Sequence, residues 1–136
     1  VVYDPHEHAD ELGIRLAYDE ELPDGRCGEY RHDESVIVMR PGLSRVRERC
    51  VLAHEIAHWE NGDVLTGDRR LDAKIERNAD LVAGRRLIGS SISLVAAAVP
   101  AGSISMLAHE LDVTPRILRV YLEAGEHRRM RCGFVA

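Results

Sequence analysis

Cysteine is scarce in this chain of 136 residues. There are three, Cys27, Cys50 and Cys132, an odd number without a C-x-x-C pair. That usage argues against a disulfide framework and for a reducing, cytoplasmic compartment. Long apolar runs are missing as well. The longest, near residues 94–100, is rich in Ala and falls short of the ~18 residues that span a bilayer, so no membrane partner is expected. No basic segment followed by an apolar core opens the sequence, so a signal peptide is not expected. Val1 is not a natural start residue, and further residues are expected upstream of it. Repeats and low-complexity tracts are absent. Lysine is nearly absent, one against 17 Arg, a bias that points to a GC-rich coding sequence more than to Arg chemistry.

What is present is the balance of an ordinary folded domain, 45% hydrophobic and 30% charged residues. A chain of this size buries roughly two-thirds of its unfolded surface. The net charge is −5 and unevenly spread. Residues 1–35 carry 11 acidic and 3 basic side chains, and residues 116–136 carry 2 acidic residues and 5 Arg. A mildly acidic chain is not a typical free-standing nucleic-acid binder.

Punctuation residues divide the chain. Residues 6–18 read as a helix stopped at Gly13 and followed by a strand. Glu21-Leu22-Pro23-Asp24-Gly25 is a turn signal. Two strand candidates follow, Cys27–Arg31 and Val36–Met39, the latter closed by Pro41-Gly42. Ser44 is placed to cap a long helix whose apolar positions include Val46, Cys50, Ala53 and Ala57. Gly62 is placed to end it in the left-handed conformation. A polar loop over 63–70 leads to a second helix, about Leu71–Ile88, with Ile75, Ala79, Val82 and Leu87 inward. A short apolar helix around 92–99 ends at Pro100. Two more helices are expected at about 103–111 and 114–124.

The chemistry sits in Leu52-Ala53-His54-Glu55-Ile56-Ala57-His58-Trp59, an H-E-x-x-H on a predicted helix. His54 and His58 are one turn apart, so both imidazoles leave the same face and can share one metal ion. Glu55 stands beside them, where its carboxylate can take a proton from an attacking water. Imidazole pairs suit Zn²⁺, which in catalytic sites takes three protein ligands. The bare motif is short enough to arise by chance, so a third ligand matters. Glu76 and Asp80 share a face of the next helix. If the two helices pack side by side, Glu76 completes a His-His-Glu set. Asp80 can then accept a hydrogen bond from the outer nitrogen of a ligand ring. The small Ala79 and Ala83 permit a close approach. Glu60, Asp63, Asp68 and Asp72 are competing third ligands. Glu60 is only two residues past His58 and points elsewhere on the helix; the loop aspartates stay open.

These residues resemble the ImmA/IrrE family of zinc metallopeptidases, over about Ala9–Gly125. The resemblance rests on the N-terminal Ala-Asp-Glu-Leu-Gly-Ile segment, Gly28-Glu29-Tyr30, Val36–Met39, the H-E-x-x-H stretch, and Glu76-Arg77-Asn78-Ala79-Asp80-Leu81-Val82-Ala83. The family usually has Phe where Val82 stands, a packing change away from the ligands. The resemblance implies an α+β fold: a mostly helical zincin-like peptidase core with a small N-terminal β-sheet and a C-terminal helical pair. It implies His54, His58 and Glu76 as ligands of one zinc ion per chain, and Glu55 as catalytic base. It also implies a protein substrate, a helix-turn-helix repressor or antitoxin-like regulator of a phage, mobile element or stress response.

Cleavage needs a donor for the oxyanion, and Tyr30, His32, His109 and Tyr121 are the candidates. Residues 103–122 look like a helix-turn-helix with a small core of Leu107, Leu111, Val113 and Leu118. Its few Arg make a weak electrostatic footprint, so packing against the core is expected rather than direct DNA binding. The expected division is a peptidase core over 1–100, the helical pair over 101–125 and a basic tail over 126–136. The competing reading is a non-catalytic zincin-like module that binds and sequesters a DNA-binding regulator. An intact Glu55 speaks against it, because a pure binder does not need that carboxylate.

Overall fold

The computed structural model describes residues 2–23, 25–89, 91–96 and 102–125. The basic tail and the end of the apolar segment before Pro100 lie outside them. Helix α1 (Pro5–Glu11) is capped by Asp4, whose carboxylate accepts from the His6 amide. Strands β1 (Arg15–Tyr18), β2 (Gly28–Arg31) and β3 (Val36–Met39) form one sheet in the order β1-β3-β2. β1 runs parallel to β3, with Arg15 opposite Val36, and β2 runs antiparallel to it, with Gly28 opposite Met39. The architecture is α+β, as the resemblance implied, with the small sheet in the N-terminal part and six helices among the described residues.

β3 is buried along its whole length, which is why it reads as an uninterrupted apolar run. Successive side chains alternate between faces. Ile37 and Met39 pack with Leu52, Ile56, Ala9 and Ile14 on the helical side. Val36 and Val38 pack under Leu22 on the other. Leu22 is held there by Arg40, whose guanidinium donates to the carbonyls of Glu20, Leu22 and Pro23 while its Nε donates to that of Arg26. One cation thus satisfies four backbone carbonyls of the β1–β2 connection.

Helix α2 (Arg45–Asn61) runs between the sheet and α3 (Arg69–Ile88). Ser44 caps it by accepting from the Arg47 amide, and Gly62 ends it at φ 65°. Leu52 and Ile56 face the sheet, while Cys50 and Ala53 join the cluster on the α3 side. Ala79 and Ala83 of α3 are fully buried, and Ala83 joins that same cluster.

After α4 (Ser91–Ala96), α5 (Ile104–Glu110) and α6 (Pro115–Glu123) form the C-terminal pair. Ser103 and Thr114 cap them. α6 lies on α3 at Gly84, where a Cβ would stand 3.4 Å from Ile117 Cγ2 and from Tyr121 Cβ. Asp112, in the turn between α5 and α6, takes a positive φ of 54°. Its carbonyl accepts from Arg49, and its carboxylate pairs with Arg45, both on α2. Leu111, Val113, Ile117 and Leu118 share one cluster with Ala83, Leu87 and Ile88. The pair therefore turns its apolar side to the core.

Candidate metal centre

His54 and His58 sit one turn apart on the α3-facing side of α2, with Nε2 atoms 3.0 Å from each other. Glu76 reaches across from α3, one carboxylate oxygen 3.0 Å from His54 Nε2 and the other 3.1 Å from His58 Nε2. One ligand atom from each of the three lies within 4.8 Å of the others, close enough to hold a metal ion.

The outer nitrogen of each ring has its own carboxylate. His54 Nδ1 is 2.7 Å from Asp80 Oδ1, and His58 Nδ1 is 3.0 Å from Asp63 Oδ2. Asp80 thus stands at the outer nitrogen of the His54 ring. Asp63, left open as a third ligand, instead serves His58 from outside the triad. The end of α2 explains its position. The amides of Gly62 and Asp63 both turn back to the His58 carbonyl, a left-handed glycine termination that brings residue 63 beside the last turn. The other competing carboxylates are committed elsewhere. Asp68 caps α3, Asp72 accepts from the Thr66 amide and hydroxyl and the Gly67 amide, and Glu60 pairs with Arg86.

The donor set fits a metal ion. With each Nδ1–H donated to a carboxylate, both Nε2 atoms present lone pairs. Two such nitrogens and a carboxylate then meet with no proton among them, and a cation resolves the conflict. Without one, the rings must take up protons, and their pKa values move that way. Burial alone lowers the His54 pKa, but hydrogen bonds with Asp80 and Glu76, and the nearby charge of Glu55, push it up to about 10. His58 also rises, its bonds with Glu76 and Asp63 outweighing burial. Those same rings hold Glu76 well below the usual carboxylate range.

Glu55 is 8% exposed and lines the same cleft of about 1080 Å³. Desolvation raises its pKa, against the pull of the two imidazoles. Gly28 of β2 makes room for it. A Cβ on Gly28 would fall 2.6 Å from Val51 Cγ1 and 3.2 Å from Glu55 Cγ. Gly28→Ala is expected to force α2 and β2 apart and to cost about 1–3 kcal/mol, measured by denaturant unfolding. A cost near zero would mean that Val51 turns away freely.

Of the oxyanion candidates, Tyr30 and His32 line the cleft and hydrogen-bond to each other. The other two lie away from it. Tyr121 is buried in the cluster between α3 and α6, and His109 is exposed near the end of α5. The contacts of Gly28 with Val51 and Glu55, and of Arg116 with Asp80, were not read from the sequence. The Nε of Arg116, at the start of α6, donates to Asp80 Oδ2 across 3.1 Å. Nothing in the local sequence marks that bond, which depends on how α6 docks.

The profile of the M78 peptidases, described as the IrrE N-terminal-like domain, matches residues 9–123. The chain belongs to the M78 peptidase family. No curated protein matches it. M78 membership agrees with the resemblance seen in the sequence and implies peptidase chemistry, hence a protein substrate. M78 peptidases are metallopeptidases, in accord with three residues that can hold a metal ion. No helix among the described residues is long and apolar enough to cross a membrane.

Proposed function

We propose that this M78 peptidase is a zinc-dependent endopeptidase that cleaves a helix-turn-helix repressor or antitoxin-like regulator in the cytoplasm. The observation that carries the reading is the convergence of His54, His58 and Glu76 beside the buried Glu55 on one open cleft. The choice of a repressor rests on the family resemblance alone.

His54, His58 and Glu76 would hold the zinc. A zinc ion in such a site polarises a carbonyl and makes water acidic enough to lose a proton near neutral pH. Asp80 and Asp63 fix the two rings with Nε2 inward. Glu55 accepts the proton of the attacking water on its carboxylate and returns it to the leaving amine. Its raised pKa suits the second half of that exchange. Tyr30 and His32, which line the cleft, would supply the hydrogen bond to the developing oxyanion.

The test is co-incubation with any helix-turn-helix regulator encoded near this chain, with and without a chelator, followed by mass analysis. Two fragments of complementary mass, lost on chelation and restored by zinc, are expected. Stable binding with no fragments would favour the sequestering module instead.

Asp80→Asn is expected to weaken zinc binding about 10–100-fold, read by competition with a chromophoric chelator. Asparagine still accepts from His54 but leaves the ring less basic and Arg116 without its counter-charge. An unchanged affinity would remove Asp80 from the centre.

A further inference from the structure

The cleft is chemically different on the two sides of the triad. Successive turns of α3 carry Asp72 beside the α2–α3 loop, Glu76 at the two imidazoles, and Asp80 beside His54. Past Asp80 stands Arg116. Its Nε is spent on Asp80, yet its side chain is 69% exposed and lines the cleft. Among the described residues, Asp80 is its one hydrogen-bonding or ionic partner. A guanidinium has two usable edges. The Asp80 bond anchors one through Nε, and the edge formed by the two terminal amino groups is the one that takes a carboxylate in two parallel hydrogen bonds.

On the other side, beyond His58, the loop after α2 carries Val64 and Leu65 into the cleft wall. They are 74% and 51% exposed, unusual for adjacent aliphatic residues. The loop is nevertheless tied at both ends. Asp63 is bonded to His58 and Asn61, and Asp72 clamps Thr66 and Gly67. The structure thus holds two apolar side chains in water by polar anchors on either side of them. Their neighbour in the cleft, Ile75, adjoins Glu76.

We propose that the cleft selects polypeptide segments carrying an acidic side chain for Arg116 on the His54 side of the triad and an apolar side chain for Val64 and Leu65 on the His58 side. This rests on the peptidase reading, because it takes polypeptide as the ligand. The spacing follows from the helix. Asp72 to Asp80 is about 12 Å of α3, which an extended chain covers in about three to four residues.

The experiment reads binding, not cleavage. It uses the full chain carrying Glu55→Gln, loaded with zinc, and fluorescent nine-residue peptides. Each peptide has Leu and Glu three or four positions apart, in either order, and is paired with Gln-for-Glu and Ser-for-Leu versions. At least one Leu/Glu peptide is expected to bind about tenfold tighter than its Gln partner and about fivefold tighter than its Ser partner. Adding Arg116→Gln, which keeps a donor for Asp80, should abolish the Glu preference at unchanged zinc content. Adding Leu65→Ser should abolish only the Leu preference. No binding by any peptide, equal binding of the Glu and Gln versions, or an Arg116→Gln effect that is uniform across peptides would overturn the proposal. None of those results touches the peptidase reading, which stands or falls on fragments of the whole regulator.

Discussion

With Glu55 as the proposed base, Glu55→Gln protein should bind zinc as the parent does and cut its protein substrate about a thousandfold more slowly. The two side chains have nearly the same shape, so the packing of residue 55 beside Gly28 survives. The amide cannot accept the proton of the attacking water, so the step the carboxylate serves is lost while the ligands are untouched. Metal content and fragment yield, measured on the same preparation, check both halves. Parent-like cleavage would assign the base to another group.

The second large effect falls on Glu76. Its carboxylate is the one anionic donor of the triad and faces two nitrogens at once. Glu76→Ala leaves a pair of imidazoles without counter-charge, two protein ligands where a catalytic zinc site uses three. Zinc affinity should fall more than about 100-fold, beyond the loss of an outer partner such as Asp80. The fold should survive. The Glu76 side chain is 40% exposed, and Ala is the best helix former. Chelator competition beside far-ultraviolet circular dichroism separates a lost ligand from a lost helix. An affinity near that of the parent would move the third ligand elsewhere, with Asp63 the nearest carboxylate on the His58 ring.

The residues legible from sequence are those whose placement follows from the local chain. Ser44 and Gly62 bound α2 because a hydroxyl cap and a left-handed glycine act within a few residues. Val36–Met39 reads as a strand from its β-branched, apolar run, and the structure buries it along its whole length. The turn-to-turn spacing of His54 and His58, and of Glu76 and Asp80, put each pair on one side of its helix. The meeting of the two pairs was an inference from small Ala residues, and Ala79 and Ala83 are where it is realised. Tyr121 was legible in principle. It stands four residues after Ile117 and three after Leu118, on the buried stripe of α6, and its residue type alone suggested a donor. Asp63, Gly28 and Arg116 were out of reach for another reason. Each acts on a group brought to it by a chain reversal or by docking of a separate element, and no periodicity records that.

The bare backbone at Gly84 has a consequence for shortening the chain. With no side chain between them, α3 and α6 touch along the stretch that follows Asp80, and Ile117, Leu118 and Tyr121 cover Ala83, Leu87 and Ile88. A truncation that removed α6 would strip the shelter from the helix on which Glu76 and Asp80 are mounted. The C-terminal pair is thus a buttress for the helix that carries Glu76 and Asp80, and its loss would be felt at the candidate metal centre before it was felt by any partner.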